Sequence, residues 1–288
     1  MTYHKLYRSF LEQLQAIYNM AEASVITSWV FEKIAGIKKI DLIKQQALEP
    51  EITIADKLNE ALQQLLQHTP VQYVLGEAWF CKMFFKVNHQ VLIPRPETEE
   101  LVNWLLDDYK KKAIFPSSAS ILDIGTGSGC IVVALKKMLP ASTVTAIDFS
   151  AGALAIAKEN AITNKVEINF FQLDFLNEQL WESLPGFDII VSNPPYIPIS
   201  EKEQLDKNVI AYEPHSALFV PDNKPLLFYE KIALFGKSNL KNDGSIYVEV
   251  HENYAAQTAE LFAGYKYDVE TKKDIFEKER MLKLTHCR

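Results

Sequence analysis

Ile121-Leu122-Asp123-Ile124-Gly125-Thr126-Gly127-Ser128-Gly129-Cys130 is the stretch that decides the fold. Residues 121–124 have the length and apolar character of a buried strand, and the glycines that follow permit a tight turn. The apolar run 130–135 then opens a helix. Downstream, strand-like runs at 144–147, 168–171, 188–191, 246–250, 267–270 and 281–284 alternate with helical segments starting near Ala151, Pro225 and Asn253. Such alternation is that of an α/β protein with a doubly wound, mostly parallel sheet.

Upstream the period changes. Leu6, Phe10, Leu14 and Ile17, then Val25, Trp29 and Ile34, then Leu58, Leu62 and Leu65 recur at helical spacing. Gly36 reads as a helix stop and Pro50 as a separator. A small all-helical domain is therefore expected over residues 1–76, with a docking or lid role or a purely structural one. Residues 77–93 carry short aromatic and β-branched runs around Cys81-Lys82 and read as a β-hairpin linker. Two prolines in Pro94-Arg95-Pro96 then open a helix that ends near Tyr109, at the head of a domain spanning 94–288.

The 288 residues carry 30 Lys and Arg against 37 Asp and Glu, a net charge of -7 that gives nucleic acid no overall attraction. The helical segment carries seven basic and eight acidic residues over 1–76, so it is no basic arm. Cys81, Cys130 and Cys287 are odd in number and share no metal-like spacing, which favours free thiols in the cytoplasm. No apolar run approaches a membrane span, and the six histidines form no ligand pattern. A soluble monomer without a metal is the expectation.

A glycine-rich turn at a helix N-terminus lets a ligand approach the backbone; the alternative for this segment read alone is a tight strand-to-helix turn. The spacing G-x-G-x-G lacks the sixth-position glycine of a dinucleotide fingerprint, which turns the reading away from nicotinamide. Nineteen residues after Gly129, Asp148 ends the next strand. There a carboxylate accepts both hydroxyls of a ribose or caps a helix, and Ser150 is available for the cap. Asp174-Phe175, at the end of the third strand, is placed to bond an adenine amino group and cover its ring, with Phe175 alternatively plain core. In Val191-Ser192-Asn193-Pro194-Pro195-Tyr196, a buried strand ends in an amide held by two prolines that cannot extend the ladder. Asn193 is thereby aimed beyond the carboxyl ends of the strands, where ligands bind in such sheets.

The ordered set Gly125-Thr126-Gly127-Ser128-Gly129, Asp148, Asp174-Phe175 and Asn193-Pro194-Pro195-Tyr196 resembles S-adenosylmethionine-dependent methyltransferases acting on planar amino groups. With Ile93-Pro94-Arg95-Pro96-Glu97-Thr98-Glu99 and the helical N-terminus, the chain resembles the release factor glutamine methyltransferases, the PrmC/HemK family, over nearly its whole length. The resemblance implies a seven-stranded Rossmann-like methyltransferase sheet behind an N-terminal substrate-recognition domain. It also implies N5-methylation of the glutamine in the Gly-Gly-Gln motif of class I peptide chain release factors, a protein methylation tied to translation termination.

By position, Gly125, Thr126, Gly127, Ser128 and Gly129 would cradle the methionine part of S-adenosylmethionine, which leaves as S-adenosylhomocysteine. Asp148 would take its ribose, Asp174 and Phe175 its adenine, and Asn193 would border both sites. Asn193, Pro194, Pro195 and Tyr196 would hold the glutamine, with Asn193, Pro194 and Tyr196 catalytic. An amide nitrogen is a poor nucleophile, so two acceptors, the Asn193 side-chain oxygen and the Pro194 carbonyl, would orient it, with Tyr196 packed on its plane. Glu97 and Thr98 either line the cofactor mouth or cap a helix. The Phe276-Glu277-Lys278 stretch and residues 221–225 depart from the family's usual glycines. Rival readings are a ribosomal-protein glutamine as substrate, a nucleic-acid base flipped against Tyr196, and a binding protein without turnover.

Overall fold

Helical spacing in the first 76 residues forms α1 (Tyr3–Leu14), α2 (Met20–Ala35), α3 (Lys39–Lys44), α4 (Ile52–Leu66) and α5 (Val71–Leu75). The computed structural model describes residues 1–44, 47–111 and 118–287. They divide into two units, Met1–Glu77 with Asp206–Tyr212 and Ala78–Leu205 with Glu213–Arg288. Thr2 and Asn19 cap α1 and α2 by accepting from the amides of Lys5 and Glu22, and Gly36 ends α2 with φ +68°.

Phe10 and Leu14 of α1 pack with Val30 and Phe31 of α2 and Leu58 and Leu65 of α4. The buried face of α2 differs from the expected one, since Val25 and Trp29 are 46% and 50% exposed and Ala23, Ile26, Thr27, Val30 and Phe31 face inward. Apolar residues surround much of this helix, and its inner stripe is the one whose small Ala23 and Thr27 let neighbouring helices approach.

A hairpin follows, β1 (Glu77–Phe80) and β2 (Met83–Lys86), which belongs to the second unit from Ala78 onward. Cys81 and Lys82 form its two-residue turn, both with positive φ (46° and 63°), the backbone that the right-handed twist of paired strands requires. There follow α6 (Pro96–Lys111), β3 (Ser120–Ile124), α7 (Cys130–Met138), β4 (Thr143–Asp148), α8 (Ala151–Asn164), β5 (Asn169–Gln172), β6 (Phe187–Ser192) and β7 (Ile197–Pro198). The chain next supplies α9 (Lys207–Tyr212) to the first unit, where the Tyr212 hydroxyl donates to the Gln67 carbonyl at 2.7 Å. It returns through β8 (Phe219–Val220), α10 (Leu227–Asn239), β9 (Leu240–Glu249), α11 (Ala255–Gly264), β10 (Tyr267–Lys273) and β11 (Glu279–His286).

Seven strands form one sheet in the order β10-β11-β9-β6-β3-β4-β5. β5, β4, β3, β6 and β9 run parallel and β11 antiparallel to both neighbours. This is the doubly wound, mostly parallel class that the sequence pattern implies. Alternate residues serve opposite faces: Ile121, Ile189 and Val191 pack with α6 and α7, while Leu122, Ile190 and Ile246 pack with α10 and α11. β9 starts at Leu240, six residues before the expected run at 246, because its first half is polar and largely exposed.

The chain runs from β3 outward to β5 and then crosses to β6 on the other side of β3, leaving a crevice at the carboxyl ends of β3 and β6. Ile124 is paired with both Ile147 and Ser192, so the glycine turn and Asn193 leave neighbouring strands at one level. No helix among the described residues is long and apolar enough to cross a membrane.

Candidate functional site

The crevice holds a cavity of about 470 Å³ within the second unit, inside the range of sites that enclose a small ligand. Gly125, Thr126, Gly127 and Ser128 form one wall, Asp148, Asp174 and Phe175 another, and Asn193, Pro194 and Pro195 a third. These sequence-predicted residues are brought together. Gly129 and Tyr196 do not line the cavity and act from behind it.

All three glycines of the turn have positive φ, between 54° and 77°. A Cβ on Gly125 or Gly127 would meet open space, whereas one on Gly129 would come within 3.0 Å of Ala157 Cβ. Two glycines thus bare the backbone to the cavity, and the third lets α7 start against α8. Asn160 of α8 braces the turn by donating to the Ser128 carbonyl at 2.8 Å and also to that of Lys86 at 3.0 Å.

Asp148 is nearly buried, and its two oxygens accept from the amides of Gly127 and Ser150, each at 2.9 Å. Ser150 itself caps α8 by accepting from Ala153, so Asp148 is not the helix cap. Burial raises the Asp148 carboxyl, opposed by the amides of Ser150, Gly127 and Phe149. Each oxygen retains a lone pair for a hydroxyl donor. Asp174 is exposed and accepts from the Leu176 amide through Oδ1 alone. Phe175 is both wall and core, stacking on Trp181 at 5.3 Å while edge-on to Phe235 at 5.5 Å.

Asn193 follows the fully buried Ser192, whose hydroxyl donates to the Ile124 carbonyl at 2.7 Å and ties β6 to β3. Its Nδ2 donates to Thr98 Oγ1 at 3.0 Å, and Thr98 donates in turn to Glu249 Oε2 at 2.6 Å. The Tyr196 hydroxyl donates to Glu249 Oε1 at 3.1 Å, and its ring is edge-on to His251 at 5.8 Å. Burial, and next the Glu249 charge, keep that phenol protonated. Thr98 therefore holds a site residue rather than capping α6.

Burial raises the Glu249 carboxyl; bonds from Thr98 and Tyr196 pull it down, Glu97 pushes it up, and Arg280 pulls it down. Glu213, also buried, binds the Arg95 guanidinium at 2.5 Å and the Ile93 amide at 3.1 Å, fixing the Pro94-Arg95-Pro96 rim. Asp123 has no exposed surface, and the Thr126 hydroxyl beside it, in the turn itself, lies outside hydrogen-bond geometry with either of its oxygens. Glu249, Glu213 and Asp123 escaped the sequence reading. Their one visible signal was a carboxylate inside an otherwise apolar strand or turn.

An open glycine cradle, an unpartnered hydroxyl, a carboxylate with spare acceptors and an aromatic wall fit a nucleoside-bearing ligand with a polar tail. The description "PrmC N-terminal domain" belongs to a family model matching residues 5–76, and "Methyltransferase small domain" to one matching 102–213. A release factor glutamine methyltransferase of Flavobacterium psychrophilum is 42% identical over 282 residues, 97% of this chain and 98% of that protein. One of the same name from Bacteroides thetaiotaomicron is 36% identical over 274 residues, 94% and 95% of the two chains. A solved release-factor-specific protein-(glutamine-N5) methyltransferase from Alicyclobacillus acidocaldarius is 28% identical, covers 71% of this chain and 100% of its own, and has a TM-score of 0.44.

Proposed function

Because the chain belongs to the release factor glutamine methyltransferase family, we propose that it methylates the side-chain amide nitrogen of the glutamine in the Gly-Gly-Gln motif of class I release factors. The observation that carries this reading is the commitment of Asn193 Nδ2 to Thr98, at the cavity wall beside the glycine turn. Oδ1 is left to accept an N–H from a planar amide, and no residue among those described donates to it. With the Pro194 carbonyl as second acceptor, the substrate amide is turned with its nitrogen facing the glycine side.

S-Adenosylmethionine, when bound, supplies a sulfonium methyl group already activated for transfer. Gly125, Thr126, Gly127, Ser128 and Gly129 would hold its methionine part, Asp148 its ribose hydroxyls, and Asp174 and Phe175 its adenine. Pro195 keeps the loop rigid, and Tyr196, anchored on Glu249, supports it from behind. The acidic surface balance disfavours nucleic acid as the substrate. The reading places the protein with translation in the cytoplasm.

Asp148→Ala is expected to weaken cofactor binding about 10- to 100-fold, the loss of one or two hydrogen bonds to a charged acceptor. Calorimetry checks this, and unchanged affinity removes Asp148 from the ribose site. Residues 1–76 are assigned to recognition of the protein substrate. Their deletion is then expected to raise KM for the release factor by at least about 10-fold with cofactor affinity retained; unchanged KM in a folded variant returns them to a structural role.

The test of the function itself is methyl transfer from labelled S-adenosylmethionine to purified release factor and to its Gly-Gly-Ala variant, with ribosomal proteins and DNA in parallel. Label on the native factor that vanishes in the variant is expected. Label only on ribosomal proteins or DNA moves the substrate, and cofactor binding without any label leaves a binding protein.

A further inference from the structure

Thr98, Asn193, Tyr196 and Glu249 come from three separate places in the sequence and form one chain of hydrogen bonds. At its centre Glu249 ends β9 with 1% exposure, and both carboxylate oxygens are occupied, Oε2 by the Thr98 hydroxyl and Oε1 by the Tyr196 hydroxyl. Its backbone carbonyl accepts from the buried Tyr229 hydroxyl at 3.0 Å, so the residue is fixed at both ends.

A hydroxyl has one proton, and an ionised carboxylate only accepts. The Thr98 proton therefore goes to Glu249, and Thr98 Oγ1 meets Asn193 as an acceptor. An acceptor facing a carboxamide selects the NH2 end. Asn193 must then turn Nδ2 inward and Oδ1 outward. Were the Thr98 proton free to point at Asn193, the flipped amide would be equally well bonded and would present an NH2 group to the cavity. That group cannot accept from a substrate amide, and the two NH2 groups would repel.

We infer that Glu249 is a positioning residue for the glutamine site: through the Thr98 hydroxyl it fixes which end of the Asn193 amide faces the substrate, and through the Tyr196 hydroxyl it anchors the far end of the same loop. The inference rests on the proposed glutamine methylation and deepens it. Glu249 touches no reacting atom; its effect lies in the polarity it imposes on Asn193.

The test compares the full-length wild-type protein with Glu249→Gln, Thr98→Val and Thr98→Ser, using labelled S-adenosylmethionine and purified release factor. Glutamine fills the space of Glu249 but donates as well as accepts, so the proton on Thr98 is no longer committed. Valine matches the shape of threonine and removes the relay oxygen, and serine restores it. Glu249→Gln and Thr98→Val are each expected to lower kcat about 10-fold or more, with cofactor affinity within about twofold. Thr98→Ser is expected to recover most of what Thr98→Val loses.

The double variant Glu249→Gln/Thr98→Val should be about as slow as the slower single one, because both break the same relay. Wild-type kcat in Glu249→Gln and Thr98→Val, with the native protein labelling release factor, overturns the inference and leaves the function standing. Losses that serine does not restore and that track a fall in Tm also overturn it, by making Glu249 merely structural. A native protein that binds cofactor and labels no release factor overturns the function and this inference with it.

Discussion

Asn193→Ala is expected to lower turnover about 10²- to 10³-fold while cofactor affinity stays within about threefold, the scale seen when one oriented polar group is removed from a site. The carboxamide nitrogen of the substrate has its lone pair delocalised toward its own carbonyl, so attack depends on how it is held. Asn193 Oδ1 is the side-chain acceptor that the loop brings to the cavity wall, and its orientation is set by the bond to Thr98 at 3.0 Å. Alanine removes the acceptor and leaves β6, the two prolines and the glycine turn in place. Single-turnover methylation checks the rate and calorimetry the cofactor. Native turnover in the variant takes Asn193 out of the chemistry, whereas cofactor affinity lost in parallel makes it part of the cofactor site.

That site was half legible in the sequence, for a reason that its hydrogen bonds make plain. Gly125 to Gly129 and Asn193 to Tyr196 are each local: a strand of apolar residues ends, and the next few side chains must stand at its carboxyl end. Such positions follow from strand length and turn chemistry alone. The group that orients Asn193 does not. Thr98 and Glu249 are 151 residues apart and Asn193 and Thr98 are 95 apart, so only the folded sheet puts them in contact. Thr98 was consequently open to two readings, helix cap or site wall; it does line the cavity, and its bonds to Asn193 and Glu249 add a relay that neither reading contained. Tyr196, expected to lie on the substrate amide, has its hydroxyl on Glu249 and no place in the cavity wall.

The fold divides in the same way. Central strands buried on both faces read as continuous apolar runs, and those of β3, β4 and β6 lie within a residue of where the runs predict them. α2 does not read so simply, because Val25 and Trp29 share it with Ile26, Val30 and Phe31 and either stripe could turn inward. The choice is made by α1, whose Tyr7 and Phe10 rings pack edge-on against Phe31 at 5.0 and 5.5 Å. Packing partners, not periodicity, settle the face of a helix that is apolar nearly all round.

Asp123→Asn is expected to change how stability depends on pH. The Asp123 carboxyl is completely buried, and burial pushes it up to about 7; Thr126 opposes that and the Asp148 charge adds to it. In the unfolded chain the same group titrates near its ordinary value of 3.8. Between these two values the folded state binds the proton and the unfolded state has released it, so rising pH favours unfolding. The contribution is present below the unfolded value and is lost as pH rises through the folded one, where further change ceases. At about 1.36 kcal/mol per pH unit, the segment from pH 5 to 7 amounts to roughly 3 kcal/mol of lost stability.

Asparagine is neutral throughout, is nearly isosteric, and has the unpartnered Thr126 hydroxyl nearby as a hydrogen-bond partner. Without cofactor, the variant should therefore gain on the wild type by about 3 kcal/mol between pH 5 and 8, with the gain levelling off just above 7. Denaturant unfolding of both proteins across that range measures the difference, in which the other titrating groups cancel. Parallel pH profiles would show that Asp123 meets no such penalty. A gap that opens as described would show that Asp123, two positions before the first glycine of the turn and at the root of the site, holds its charge against the stability of the fold.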